Sequence, residues 1–173
     1  MIFVIVPAFN EEQRIGQVIS NLLAEKFENI VVVDDASTDA TARIALETGV
    51  IVLRHPVNRG QGAALQTGNE YALANGATAV VHFDADGQFN AADIAGALSS
   101  MQAKNAAVVF GSRFLDDRSQ IPWTKKHLIL PISRLINKIV TGLRLTDAHN
   151  GFRILSRQAL EKIHISQDRM AHN

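Results

Sequence analysis

Asp84-Ala85-Asp86 sets two carboxylates two positions apart at the end of an apolar run, residues 79–83. In an extended segment side chains alternate, so both would share one face, with Cα atoms roughly 6.5–7 Å apart and Ala85 pointing the other way. Paired hard oxygens suit Mg²⁺ or Mn²⁺, which take one or two carboxylates and complete their shell with substrate phosphates and water. In isolation so common a tripeptide is more often a helix cap beside a solvated carboxylate; its place at the carboxyl end of a strand favours the cation. A calcium loop starting at Asp84 would need glycine at its sixth position and glutamate at its twelfth, where Phe89 and Ala95 stand, so that chemistry is excluded.

Four more polar segments follow apolar runs in the same way: Pro7-Ala8-Phe9-Asn10-Glu11, Asp34-Asp35-Ala36-Ser37-Thr38-Asp39, Asn58-Arg59-Gly60-Gln61-Gly62 and Gly111-Ser112-Arg113. Gly60 and Gly62, ahead of a helix, could let backbone N–H groups approach an anion or let the helix pack tightly on a sheet. They do not form a dinucleotide fingerprint, because Leu65 holds the third glycine position and the segment follows the third strand rather than the first. Asp34-Asp35 is similar to the acidic pair of phospho-receiver domains, which however follows their first strand. Asp35, Ser37 and Asp39 also suit turn and capping chemistry. Arg113 carries a permanent charge whose planar fork grips phosphate. The six histidines show no metal-ligand spacing, and no serine sits in a G-x-S-x-G elbow.

These residues need a scaffold that gathers them, and the pattern supplies one. Runs at 2–6, 30–33, 50–53, 79–83 and 107–110 read as buried strands. Between them lie helices: one with Ile15, Val18, Ile19, Leu22 and Leu23 on one face and Asn10 as its cap, one ending at Gly49, one over 60–75 closed by Gly76, and one capped by Asn90 and running to about 104. Such alternation means βαβ units, right-handed crossovers and a mostly parallel sheet, with ligands bound outside the carboxyl ends of the strands. After Arg113 the pattern loosens into a polar loop over 115–124, an amphipathic segment over 128–143 broken by Pro131, a short strand over 151–155, and a last helix capped by Ser156.

With 173 residues, 47% of them hydrophobic and 20% charged, the chain has the composition of one globular domain and not that of a disordered, collagenous or coiled-coil protein. Lysine plus arginine and aspartate plus glutamate both number 17, so no global charge draws it to nucleic acid or anionic lipid, and any anion must be held locally. Without cysteine there is no disulfide framework, thiolate metal site or cysteine nucleophile, which fits a cytoplasmic protein. No run approaches the ~18 apolar residues of a membrane span.

In order along the chain, Pro7-Ala8-Phe9-Asn10-Glu11-Glu12, Val33-Asp34-Asp35-Ala36-Ser37-Thr38-Asp39, Asn58-Arg59-Gly60-Gln61-Gly62, Asp84-Ala85-Asp86-Gly87-Gln88, Gly111-Ser112-Arg113 and Asp147-Ala148-His149-Asn150-Gly151-Phe152-Arg153 together resemble family 2 glycosyltransferases. The branch they look most like includes dolichol-phosphate mannose synthase and the undecaprenyl-phosphate sugar transferases. The resemblance implies an α/β chain with the GT-A fold of nucleotide-diphospho-sugar transferases, a Rossmann-like open, mostly parallel sheet with helices on both faces. It implies a single catalytic domain over 1–173, shorter at its C-terminal end than members of that branch.

It further implies an inverting, metal-dependent transfer from a UDP- or GDP-sugar to a polyprenyl phosphate, dolichyl or undecaprenyl, at the cytoplasmic face of the membrane. By that likeness Pro7, Ala8, Asn10 and Glu11 line the nucleoside pocket, with Asp35 at the base or ribose. Asp84, Asp86 and Gln88 hold Mg²⁺ or Mn²⁺ against the donor diphosphate, and Asp86 and Arg113 act in catalysis. Ser133, Arg134 and Arg153 fall on the acceptor side; some relatives carry a basic residue where Ile129 stands, for which Lys125, Lys126 or Arg134 could substitute. A phosphate acceptor is largely ionised near neutral pH, its second pKa being about 6, and needs no general base. A hydroxyl acceptor needs one, and Asp147 is the candidate. Transfer to a saccharide hydroxyl in cell-envelope polysaccharide synthesis, and nucleotide-sugar binding without turnover, are the rival expectations, and a membrane partner subunit is compatible with either acceptor. A nucleotidyltransferase is disfavoured, because the segment after the first strand is acidic rather than basic and glycine-rich.

Overall fold

A computed structural model describes residues 1–111 and 151–165. Its strands are β1 (Ile2–Ala8), β2 (Ile30–Asp34), β3 (Ile51–Arg54), β4 (Ala79–His82), β5 (Val108–Phe110) and β6 (Arg153–Ser156). The helices are α1 (Ile15–Ala24), α2 (Thr41–Glu47), α3 (Gln61–Ala74), α4 (Asp93–Ala103) and α5 (Arg157–Lys162). Contacts divide the chain into two units, Met1–Val109 with Arg153–Asn173, and Phe110–Phe152. The expected loop at 115–124 and amphipathic segment at 128–143 lie outside the described residues.

The six strands form one sheet in the order β3-β2-β1-β4-β6-β5. β1 pairs in parallel with β2 and with β4, Val6 opposite Val32 and Val4 opposite Val81. The chain therefore winds outward from β1 in one direction through β2 and β3 and in the other through β4, and the switch between β1 and β4 opens a crevice at their carboxyl ends. One strand runs against the rest. β6 inserts antiparallel beside β4, with Val80 opposite Leu155. Ser156 N–H donates to Ala107 O and Gly111 N–H to Phe152 O, both 2.9 Å, which is the antiparallel pattern and leaves β5 parallel to β4.

The apolar runs of β1, β2 and β4 follow from burial on both faces, whereas β3 and β5, expected to be buried, are only partly so at the edges of the sheet. Phe3, Ile5, Val31, Val33, Val80 and Leu155 pack with Ala64, Leu65 and Ala72 of α3 and Ala159 and Leu160 of α5. By alternation Val4, Val6, Val32 and Val81, all fully buried, turn to the other face. The expected apolar stripe of α1 is buried at Ile15, Val18, Ile19 and Leu22, whereas Leu23, also expected on that face, is exposed. Gly68 lets α3 lie directly on β1, since a Cβ there would collide with Ile5 Cγ2. That contact fixes where α3 begins, at the rim of the crevice.

The helix ends at Gly49 and Gly76 stand as expected, with φ of 81° and 79°, and Ser156 Oγ accepts from Ala159 N–H to cap α5. Two expectations are corrected. Asn10 does not cap α1, which starts after Arg14; Asn10 has φ 55° and its side chain reaches another loop. Asn90 Oδ1 accepts from Ala92 N–H, so it closes the turn leading into α4 rather than capping that helix directly.

Candidate functional site

A cleft of about 340 Å³ lies at the carboxyl ends of β1, β2 and β4, lined by Pro7, Ala8, Phe9, Glu11, Asp35, Gln61, Ala64, Asp84, Ala85 and Asp86. Each enters from a strand end or the loop after it, except Gln61 and Ala64, which belong to the first turns of α3. Among the described residues, four of those lining the cleft are acidic and none is basic.

β4 ends at His82, so Asp84-Ala85-Asp86 is not extended: Ala85 and Asp86 lie in a turn that Gly87 completes with φ 75°. Extended-strand alternation does not hold there, yet Asp84 and Asp86 both line the cleft while Ala85 is buried. Asp86 Oδ1 accepts from Gln88 N–H at 2.9 Å. Asp84 Oδ1 accepts from Gln61 Nε2 at 2.7 Å, a bond from the start of α3. Beneath the turn the rings of Phe83 and Phe89 meet edge to face, centroids 6.0 Å apart.

On the other side of the cleft, the loop after β1 is laced to the loop after β2. Asn10 N–H donates to Ser37 Oγ (2.9 Å), Glu11 N–H to Thr41 Oγ1 (2.8 Å) and Glu12 N–H to Asp39 Oδ2 (3.1 Å). In the reverse direction Thr38 N–H donates to Asn10 Oδ1 and Ala40 N–H to Glu12 Oε2, both 2.9 Å. Burial raises the Asp39 carboxyl, but donation by the Thr41 hydroxyl, the Thr41 N–H and the Glu12 N–H outweighs it and holds the group below its ordinary value. Asp39 is thus a charged acceptor at the head of α2 and Ser37 an acceptor for the opposite loop, which is the turn chemistry their residue types allow.

Asp34 and Asp35 are buried, and each is tied into the scaffold. Asp34 Oδ1 accepts from Ser37 N–H at 3.2 Å, and Arg54 Nε stands 3.0 Å from Oδ2 as an ion pair that is out of line for a hydrogen bond. Asp35 Oδ1 accepts from His55 Nδ1–H (2.7 Å) and Arg59 N–H (2.9 Å), and Oδ2 from Gly60 N–H (2.6 Å). With the ring proton on Nδ1, His55 Nε2 accepts from the Thr67 hydroxyl of α3 at 2.9 Å. Asp35 is therefore a hub that pins the segment before α3 as well as a wall of the cleft. The left-handed Gly60, φ 90°, brings its N–H onto the carboxylate.

His82, on β4 two residues before Asp84, is buried and bonds Asn69 of α3 through Nε2 at 2.8 Å. Burial, and after it the charge of Arg153 opposite, push its pKa down to about 3, so the ring is neutral. Its Nδ1 finds no hydrogen-bond partner among the described residues.

The cleft thus gathers Pro7, Ala8, Glu11, Asp35, Asp84 and Asp86. Asn10 and Gln88 stand outside its lining, Asn10 serving the loop lacing and Gln88 giving its backbone N–H to Asp86. Arg153 lies on β6 opposite His82, with its Nε buried. Arg113, Ser133, Arg134 and Asp147 fall outside the described residues. Sequence reasoning missed Phe9 and Gln61 as individual residues. Phe9 is 46% exposed on the cleft wall, a surface on which a planar base can stack; its only sequence signal was an aromatic inside a polar strand-end segment.

No group of three or more histidine, cysteine, aspartate or glutamate side chains placed to hold a metal occurs among the described residues. Two carboxylates on an open cleft nevertheless fit Mg²⁺ or Mn²⁺, whose remaining positions substrate oxygens and water fill. No helix among the described residues is long and apolar enough to cross a membrane.

Residues 3–164 match the family described as Glycosyl transferase family 2. The chain is 34% identical over 180 residues to the UDP-N-acetylglucosamine–dolichyl-phosphate N-acetylglucosaminyltransferase of Methanococcus voltae, covering 93% of this chain and 71% of that protein. It is 30% identical to the undecaprenyl-phosphate mannosyltransferase of Micrococcus luteus, covering 94% of this chain and 69% of that protein. Among solved structures it is similar to glucosyl-3-phosphoglycerate synthase from Mycobacterium tuberculosis, in complex with Mn²⁺, UDP-glucose and phosphoglyceric acid. That likeness has a TM-score of 0.68 at 21% identity, covering 91% of this chain and 57% of the other. The fold is therefore GT-A, and the chain spans a little over half the length of the solved structure. On the family match and these identities, this chain belongs to glycosyl transferase family 2.

Proposed function

We propose that the chain carries the donor site of an inverting glycosyltransferase that moves a sugar from a nucleotide-diphosphate sugar to a polyprenyl phosphate at the cytoplasmic face of a membrane. The observation that carries this reading is the convergence of Asp84 and Asp86 with Glu11 and Asp35 on one open cleft that, among the described residues, no lysine or arginine lines. A diphosphate entering this cleft meets repulsion from these four acidic side chains, which a cation arriving with it offsets. Mg²⁺ or Mn²⁺ held by Asp84 and Asp86 would supply Lewis-acid stabilisation of the charge that develops on the leaving diphosphate.

The remaining steps rest on the chain's own residues. Pro7, Ala8 and Phe9 offer the nucleoside an apolar wall, and Glu11 and the edge of Asp35 offer acceptors to its hydroxyl and amine groups. The laced loops keep these groups in place before the donor arrives, so binding costs little reorganisation. Arg113 would contact the phosphate of the acceptor or the leaving side of the sugar, and the ionised acceptor oxygen attacks the anomeric carbon on the face opposite the diphosphate. The dolichyl- and undecaprenyl-phosphate acceptors named for the relatives support the lipid phosphate.

Incubating the 173-residue chain with UDP- and GDP-sugars, Mn²⁺ and polyprenyl phosphate tests the proposal. Glycosyl lipid is the expected product. Its absence alongside transfer to a saccharide would move the acceptor to a hydroxyl, and donor left intact with every acceptor would make the chain a binder without turnover.

A further inference from the structure

We infer that Gln61 is a positioning residue for Asp84: its amide presets that carboxylate in the orientation in which it takes a divalent cation. The inference rests on the metal reading above and extends it to a residue that has no ligand role of its own there. Gln61 Nε2 donates to Asp84 Oδ1 at 2.7 Å, and both side chains line the cleft. A bond to an ionised carboxylate is stronger than one between neutral groups, and it selects one rotamer of a side chain that stands only two residues past the end of β4.

Gln61 can do this because its own position is over-determined. It is the first residue of α3, and the residue before it, Gly60, gives its N–H to Asp35 Oδ2 at 2.6 Å. Arg59 N–H and the His55 ring hold Oδ1 of the same carboxylate, and His55 reaches on to Thr67 a little under two turns along α3. Further along the helix, Asn69 bonds His82, and Gly68 seats α3 against Ile5. The start of α3 is thus bolted to the ends of both β2 and β4, and Gln61 passes that rigidity to a carboxylate in a turn. A neutral amide serves better than a lysine would, because it orients Asp84 without cancelling the charge that a cation needs.

The test is titration of the full chain with Mn²⁺ alone, following the electron paramagnetic resonance of the free ion, with thermal unfolding of the metal-free protein measured in parallel. Gln61→Met keeps length and helix propensity but removes the donor. The inference expects its Mn²⁺ affinity to fall about tenfold with the unfolding midpoint unchanged. Unchanged affinity, or affinity that falls only together with the midpoint, overturns it. Asp86→Ala separates the two levels. If it abolishes Mn²⁺ binding while Gln61→Met has no effect, only the positioning role fails; if Asp86→Ala leaves Mn²⁺ binding intact, the metal reading itself fails.

Discussion

The two walls of the cleft are built differently. On the β1–β2 side, six hydrogen bonds cross between the two loops, and Asp35 takes two scaffold donors on Oδ1 and one on Oδ2. On the β4 side, Asp84 and Asp86 sit in a turn, where Gln61 of α3 donates to Asp84 and the Gln88 N–H donates to Asp86. The first wall is a preformed surface that a nucleoside can meet without rearranging it. The second presents two partly exposed carboxylates, as the proposed uptake of a cation together with its substrate requires. On the proposed reading, the stitched wall serves the scaffold and the β4 wall serves the cation.

If that division is right, substitutions on the stitched wall should be read in the melting curve. Asp35→Ala leaves two backbone N–H groups and the His55 ring facing a void, and removing one side of such a buried charged network costs about 3–5 kcal/mol. Chemical denaturation of the variant measures it; a loss under about 1 kcal/mol would mean the hub is not structural. Beneath the β4 wall, His82 makes stability depend on pH. Its folded pKa is depressed to about 3, whereas the unfolded chain takes up a proton near 6.5, so the contribution is complete above 6.5 and drains away as pH falls towards 3. His82→Gln keeps a donor for Asn69 and should flatten the difference between pH 7 and pH 4 in denaturation midpoints; a variant with the wild-type slope would remove His82 as its source. Ser37→Ala deletes one loop-lacing acceptor and should cost about 1 kcal/mol, visible as a small shift in the same curve. Smallest of all, Asp86→Ala should change stability by no more than about 0.5 kcal/mol, since its ties are local and exposed.

Much of this was legible in the chain. Buried β-branched runs alternating with helical stripes dictate a parallel sheet, and a parallel sheet gathers strand-end residues whatever their separation in sequence. Pro7, Asp35 and Asp84 could therefore be placed together without coordinates. Asn10 was misplaced because a cap is a local pattern, whereas its actual partner, Thr38, sits on a loop that only the sheet brings near. The carboxylates of Asp84 and Asp86 were put on a common wall by an argument about extended backbone, but the strand stops at His82 and a turn does the work instead. Nothing in the sequence announced Gln61, because a glutamine between two glycines has no meaning until the start of α3 is set against β4. The antiparallel insertion of β6 between β4 and β5 was equally invisible, since the direction of a strand that returns after a long intervening segment is not written in its residues.

The central claim is that Asp84 and Asp86 make this acidic cleft receptive to a nucleotide diphosphate by holding a cation. Calorimetric titration of UDP- and GDP-sugars into the wild-type chain and Asp86→Ala, each with and without Mn²⁺, tests it directly. The account predicts binding that requires Mn²⁺ in the wild type and is lost in the variant; donor binding of equal strength with the metal chelated would contradict it.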